Sequence, residues 1–425
     1  FPACHRKDVA TADGLASGAG SLWRMEENAG EAAQVKVAML AVDSRAEWRL
    51  YDKHVPEFGA PVQALFEEIP NFAELEVHVI SCARKPLTSP EKLGPNIWFH
   101  TVVVPQIGWL RTGYQGCIRA VRKKVKALQP DIVHGQGTER ECGICAALSG
   151  VPNVITIHGN MRKIARTMKA RIGSFYWCTA RVEGFALKRT AGVLCNSSHT
   201  ESLVKDRAAR TWRVPNSLRR EFFSAPAATA RSAKCLLLNV GAISELKQPL
   251  ILLNVATEWY QKGLVFELCF VGPLGSDQAY AGEFLDRIRL AEKAGYARYL
   301  GTKSAAELVG LFDRAHALIH VSQEESFGLV VAEALARNLK LFAFSVGGIV
   351  DIVAGIKGVE MFERNDWSRL SQAVADWLKA GFPRLKDANS IMRDRYHPDA
   401  IVQEHLKAYR EVLRTVGGGP RGPVS

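Results

Sequence analysis

The chain has 425 residues, 47% of them hydrophobic and 23% charged, which is too long for one ordinary core and too apolar for a disordered polymer. Lys and Arg number 55 against 43 Asp and Glu, a formal charge of +12. That balance favours anionic partners (phosphates, acidic lipid headgroups or nucleic acid) without choosing among them. No run of eighteen apolar residues occurs, so the sequence offers no spanning helix.

Residues 1–33 lack a compact apolar block and read as a disordered leader, not a signal peptide. Order is expected from Gln34. Apolar strands are expected at VKVAMLAV (35–42), LEVHVISC (75–82), NIWFHTVVV (96–104), PDIVHG (130–135), PNVITIHG (152–159) and GVLCNSS (192–198). Between them lie helical segments, among them VQALFEEI, the basic GCIRAVRKKVKALQ, the small-residue ECGICAALSG and a long basic stretch over 161–190. Strands alternating with helices predict βαβ units and a parallel sheet. Residues 214–234, rich in Pro, Ala and Ser, read as a linker. A second alternation follows, with strands at CLLLNVG (235–241), FELCFVG (266–272), ARYLG (297–301), HALIHVS (316–322) and KLFAFSV (340–346). Val402, Leu406, Tyr409 and Leu413 recur at helical spacing and predict a one-sided helix. The expected organisation is an N-terminal Rossmann-like domain over 34–213, the linker, a C-terminal Rossmann-like domain over 235–396, a helix over 397–416 and a disordered tail over 417–425.

Nine cysteines are scattered along the chain. Cys142 and Cys145 form the only C-x2-C, inside a segment that reads as helix. They are expected to be reduced, packed thiols, with a metal or redox pair the lesser reading. Free thiols in this number suit a cytoplasmic compartment.

In parallel α/β sheets, ligands bind beyond the carboxyl ends of the strands. The most informative segment is therefore the one after 316–322, Gln323 to Ala336. Ser326-Phe327-Gly328 opens a helix there, whose free N–H groups and positive dipole end suit a diphosphate. Gly328 admits close approach to the backbone. Glu325 precedes the helix, and Glu333 lies on it where a carboxylate can accept both hydroxyls of a ribose. The plainer alternative is a dipole-stabilising Glu and an ordinary surface Glu.

This segment resembles the E-x7-E motif of retaining GT-B glycosyltransferases of family 4, the group 1 glycosyltransferases. The usual pattern, E-[GS]-F-G-x4-E-A, is matched by Glu325, Phe327, Gly328, Glu333 and Ala334. LNVGAISELKQPLILLNVA, FVGP (270–273), SVGGIVDIV (345–353) and VPNSLRREFF (214–223) are similar to further segments of that family. The resemblance implies a GT-B fold: two Rossmann-like α/β domains with parallel sheets facing a cleft, and a C-terminal helix returning to the N-terminal domain. It implies hexosyl transfer with retention, from a UDP- or GDP-sugar to a saccharide or lipid-linked acceptor, with no cofactor and no metal. Catalytic roles fall on Glu325, His158 and Lys247. Donor binding falls on Glu333, Ser326, Phe327, Gly328, Leu329, Gly241, Gly272 and Gly59. Ala242 stands where many members carry a phosphate-binding arginine. His134 is a weaker candidate at a strand end, and Glu139 and Glu141 are either acceptor ligands or a helix N-terminal acidic pair. Gly135-x-Gly137 lacks the third glycine of a dinucleotide fingerprint.

Two basic tracts remain. The first holds Arg111, Arg119, Arg122, Lys123, Lys124 and Lys126. The second runs from Arg162 to Arg189, interleaved with Ile164, Met168, Ile172, Phe175, Tyr176 and Trp177, with Glu183 its lone acid. Basic residues among aromatics suit an anionic membrane surface, and a solvated face is the alternative. No recognition module for nucleic acid accompanies the charge. Peripheral contact with the inner membrane face and a role in polysaccharide or envelope glycan synthesis are family-level expectations. A sugar-nucleotide 2-epimerase, a non-catalytic binding protein of the same fold and, most remotely, a nicotinamide oxidoreductase are the competing readings.

Overall fold

The computed structural model describes residues 34–47, 50–225 and 234–417. The expected leader (1–33), part of the expected linker (226–233) and the expected tail beyond Gly417 lie outside the described residues.

The N-terminal lobe is built on β1 (Val35–Leu40), β2 (Leu75–Ala83), β3 (Lys92–Gly94), β4 (Ile97–Val103), β5 (Ile132–Gln136), β6 (Asn153–Ile157), β7 (Gly192–Cys195) and β8 (Thr211–Arg213). Their spatial order is β3-β4-β2-β1-β5-β6-β7-β8. Every neighbouring pair is parallel except β3 with β4. The C-terminal lobe holds β9 (Cys235–Val240), β10 (Phe266–Val271), β11 (Ala297–Tyr299), β12 (Ala317–His320), β13 (Lys340–Phe344) and β14 (Glu360–Phe362). It is fully parallel, in the order β11-β10-β9-β12-β13-β14. Central strands such as β5, β6 and β13 are buried at every position. That is the signature of sheets covered by helices on both faces, and it explains their continuous apolar runs.

All eleven expected strands are present, most of them shorter than expected, with β2 and β5 each running one residue past the expected end. The three unexpected ones, β3, β8 and β14, have three residues each and lie at sheet edges. Such segments are too short to show a period. In each sheet the chain reverses direction of growth beside its first strand, between β1 and β5 and between β9 and β12. Ligand crevices of parallel sheets open at that point.

The stretch over 161–190 is not one helix. It divides into Met161–Thr167 and Phe175–Leu187, because Lys169 and Gly173 take left-handed backbone angles of 45° and 80°, which end a helical hydrogen-bond run. Buried Glu183 then ties the second helix to the start of the first, accepting from the Met161 N–H at 2.8 Å and the Thr138 hydroxyl at 2.9 Å. The only acid in this tract therefore points inward, and its outer face is more positive than the sequence count suggests.

The helix Pro398–Gly417 lies on the N-terminal lobe. Ile401, Val402, Leu406, Ala408, Tyr409 and Val412 join the core formed by β1, β2, β4 and the helix Ala60–Glu68. The Tyr409 hydroxyl sits 2.6 Å from His134 Nδ1, whose other ring nitrogen is 2.7 Å from Thr156 Oγ1. His134 is fully buried. This overturns its reading as a cleft residue: it fastens the returning helix to β5 and β6. Cys142 and Cys145 are buried and free in the helix Glu141–Ala147, as expected of packed thiols. Among the described residues, no helix is long and apolar enough to cross a membrane.

Removing the Tyr409 hydroxyl leaves a buried imidazole nitrogen without its partner, which costs roughly 1–3 kcal/mol. Tyr409→Phe is expected to lower the unfolding free energy by that amount, read as a lower urea midpoint at unchanged slope, and Leu406→Ala to lower it by about 2–5 kcal/mol through the cavity it leaves. Equal midpoints for Tyr409→Phe and the unaltered protein would contradict this role of the helix.

Candidate active site

At the end of β12 the chain passes from His320 through Glu324 and Glu325 into the turn Ser326-Phe327-Gly328 and the helix Leu329–Ala336. Gly328 caps this helix with φ 103°, a left-handed angle that favours glycine. Of the first-turn N–H groups, that of Val331 donates to the Gly328 carbonyl at 2.9 Å, and those of Leu329 and Val330 have no carbonyl one turn back and point out of the helix's open end. Gly347 and Gly348 press against the same turn. A Cβ on Gly347 would lie 1.6 Å from the Glu325 carbonyl oxygen, and one on Gly348 would lie 2.5 Å from that of Ser326. The Gly348 N–H donates to the Glu325 carbonyl at 3.1 Å. The paired glycines fix the height of the Glu325 backbone, a role the sequence alone did not reveal.

Lys247 ends a short helical turn after β9, and its ammonium donates to the Glu325 carboxylate. The same carboxylate oxygen is 3.3 Å from His320 Nε2. Burial pushes the Glu325 carboxyl upward, but the His320 hydrogen bond and the Lys247 charge outweigh it and hold the group at about 2. His320 is buried and shifted downward, chiefly by desolvation, with Glu325 opposing. Lysine, carboxylate and imidazole thus form one compensated cluster. His320 was not singled out in the sequence; its only signal is a polar residue at the carboxyl end of an apolar strand.

Glu333 is the opposite case. Its side chain is 8% exposed, and among the described residues no hydrogen bond or ion pair engages its carboxylate. Desolvation raises it from 4.5 to about 7, with the nearby Arg219 lowering it in part. A carboxylate held in this state is a ready acceptor for hydroxyl donors.

Other expected residues divide between cleft and core. The side chain of Phe327 is a core residue, 3% exposed and edge-on to Tyr396 at 5.4 Å; only its backbone is available to a ligand. Gly241 and Gly272 back onto each other, and a Cβ on Gly272 would lie 2.1 Å from the Gly241 carbonyl oxygen. Gly241 also lies under the Lys247 stem. Leu329 is the first residue of the helix, and the Ser326 carbonyl accepts from Ser197. Gly59 caps the helix Ala60–Glu68 and lines an open cavity of about 740 Å³ with Lys53, His54, Gln63 and Arg219.

His158 follows β6, with Nε2 3.0 Å from the Gln136 side-chain oxygen. Desolvation lowers it to about 4, so the ring is neutral at physiological pH. Glu139 accepts from the Gly159 N–H at 2.6 Å beside it. Glu141 is buried in the first turn of its helix, which withdraws it as an acceptor ligand. Lys163 Nζ bonds Glu324 at 2.5 Å, with His199 Nε2 3.1 Å from the same oxygen. The Ser197 hydroxyl donates to the Ser326 carbonyl at 2.6 Å, and the Ser198 N–H and hydroxyl both reach Asp351 at 2.6 Å. The two lobes therefore meet directly on the turn that carries Glu325.

The isolated state of Glu333 has a measurable signature. Its folded value lies above the unfolded one, so stability falls as pH rises from 4.5 to about 7, by an amount on the order of 3 kcal/mol. Glu333→Gln is expected to unfold at a higher temperature than the unaltered protein at pH 8, and the gap should close toward pH 4. A gap that does not change with pH would refute the assignment.

Residues 64–221 match the family described as Glycosyltransferase Family 4, and residues 224–395 match Glycosyl transferases group 1. Curated relatives include the D-inositol 3-phosphate glycosyltransferase of Corynebacterium jeikeium, 34% identical over 179 residues, 41% of this chain and 41% of that protein. That of Mycolicibacterium smegmatis is 31% identical over 176 residues, 40% of this chain and 39% of that protein. The chain thus spans about two-fifths of the length of these relatives. Among solved structures, sucrose-phosphate synthase from Thermosynechococcus elongatus superposes with a TM-score of 0.70 at 15% identity, covering 90% of this chain and 100% of that one. The Anabaena protein HepE in complex with UDP and glucose gives 0.66 at 15% identity, covering 89% of this chain and 100% of that one. The two facing parallel sheets, the returning helix and the family matches over both lobes agree: the chain belongs to the group 1, family 4 glycosyltransferases and has the GT-B fold.

Proposed function

We propose that the protein transfers a hexosyl group, with retention, from a UDP- or GDP-sugar to a hydroxyl of a saccharide or lipid-linked acceptor. The observation that carries this reading is the contrast between two carboxylates on one short segment. Glu325 is compensated by Lys247 and His320, whereas Glu333 is buried with no hydrogen-bond donor among the described residues. The bond from the anomeric carbon to the diphosphate oxygen breaks, its electron pair leaving with the diphosphate. The acceptor oxygen bonds to that carbon and passes its proton to the departing diphosphate oxygen. Lys247 and the open end of the helix Leu329–Ala336 stabilise the charge that develops on the leaving group, the work a divalent ion does elsewhere. Glu325 orients the donor sugar, Glu333 accepts from the ribose hydroxyls, and neutral His158 lies toward the sugar and the acceptor. HepE, of the same fold, has been solved with UDP-glucose. A thermal-shift screen of UDP-, GDP- and ADP-sugars tests the reading. One donor class should stabilise the protein, with the shift lost in Glu333→Ala. Turnover of that donor should fall at least 10²-fold in Glu325→Ala, with the product's anomeric configuration read by NMR. No stabilisation by any of the three classes, or an inverted product, would sink it.

The same reading includes peripheral contact with an anionic membrane and a place in polysaccharide or envelope glycan synthesis. Its support is the hairpin of helices Met161–Thr167 and Phe175–Leu187. There Met168, Ile172, Phe175, Tyr176 and Phe185 are exposed, Ile172 at 85%, among Arg162, Arg166, Lys169, Arg171 and Arg181. Apolar tips ringed by basic residues suit an acidic bilayer interface. The protein should co-sediment with phosphatidylglycerol vesicles and not with phosphatidylcholine vesicles, and Ile172→Glu with Phe175→Glu should release it. Equal partitioning of the double variant would count against the membrane role.

A further inference from the structure

The cavity beside Gly59 lies where the segment after β1 meets the connection between lobes. At about 740 Å³ it falls in the range that holds small ligands. Lys53, His54 and Arg219 give it a basic wall. Lys53 is engaged by Glu57. Arg219 is far less committed: one terminal nitrogen reaches half-exposed Glu67 at 3.4 Å, and its buried Nε has no hydrogen-bond partner among the described residues. The guanidinium also acts on Glu333 electrostatically. Arg219 shares this cavity with Gly59, the residue that the resemblance assigns to donor binding.

Charge balance identifies what it awaits. Lys247 is neutralised by Glu325, so the unliganded site has little positive charge to spare on that side. A nucleotide sugar brings two negative charges on its diphosphate next to the acidic Glu333. A planar guanidinium with an open N–H is the side chain best fitted to a phosphate oxygen in such a setting. We propose that Arg219 is a donor-binding residue whose guanidinium hydrogen-bonds the diphosphate of the nucleotide sugar, in addition to Lys247. This rests on the nucleotide-sugar reading above and adds to it a cation from the segment that joins the lobes. The phosphate grip then depends on how the lobes sit, because Arg219 follows the connection while Lys247 belongs to the C-terminal lobe.

The test compares ligands that differ only in the anion. Whichever of UDP, GDP or ADP binds the unaltered protein most tightly is titrated calorimetrically, and its parent nucleoside is followed by NMR, in the unaltered protein, Arg219→Ala and Arg219→Lys. The expected result is an affinity for the diphosphate at least tenfold weaker in Arg219→Ala, partial recovery in Arg219→Lys, and nucleoside binding unchanged. Unchanged diphosphate affinity would overturn the proposal, as would an equal loss for diphosphate and nucleoside, which marks a structural role. Should Arg219→Ala unfold, Arg219→Gln carries the same comparison. If the unaltered protein binds none of the three diphosphates, the nucleotide-sugar reading itself fails; if it binds one and the variants match it, only the role of Arg219 fails.

Discussion

The placement of Glu325 depends on compensation of a buried charge. A carboxylate at the end of an apolar strand is costly to ionise unless partners are supplied. Here His320 comes from the same strand and Lys247 from the turn after the neighbouring strand. Those partners are adjacent only because β12 pairs with β9, the reversal point of the sheet. The active geometry is thus a consequence of strand order: the crossover that opens a crevice also brings a lysine to the acid inside it. The Gly347–Gly348 turn then fixes the acid's backbone from the third side.

Glu333 shows the converse economy. It lies on a helix packed into the lobe and, among the described residues, has no hydrogen-bond partner. A group held in this way destabilises the empty protein and becomes favourable when a ligand supplies the missing hydrogen bonds. Strain of this kind is tolerated because each lobe has a large core to offset it. The contacts of Ser197, Ser198 and Lys163 with the turn at Ser326, Asp351 and Glu324 link that local state to the arrangement of the lobes.

Much of the fold was legible in the sequence, because fully covered parallel strands are written as apolar runs and the returning helix as a one-sided period. Edge strands β3, β8 and β14 were not, since three residues carry no period. The break at 168–174 was missed although Gly173 marks its end, because Lys169, which starts it, gives no sign of a left-handed turn. At the site, the segment from Glu325 to Glu333 was readable as a local pattern. Its partners were less so: Arg219 and the 347–348 glycines come from separate elements brought near by topology, and His320, five residues before Glu325, shows only as a polar residue ending an apolar strand. His134 misled for the same reason. A histidine at a strand end looks alike in sequence whether it faces a cleft or, as here, a tyrosine 275 residues away.

That long separation bears on biosynthesis. The N-terminal sheet emerges first from the ribosome, yet part of its apolar core is Ile401, Val402, Leu406, Tyr409 and Val412. Until those residues emerge, the first lobe presents an uncovered greasy surface during translation. The second lobe has its core residues between Leu218 and Tyr396 and can close earlier. Maturation therefore runs against the order of synthesis: the second lobe has all its core residues out before the first receives those of the helix Pro398–Gly417.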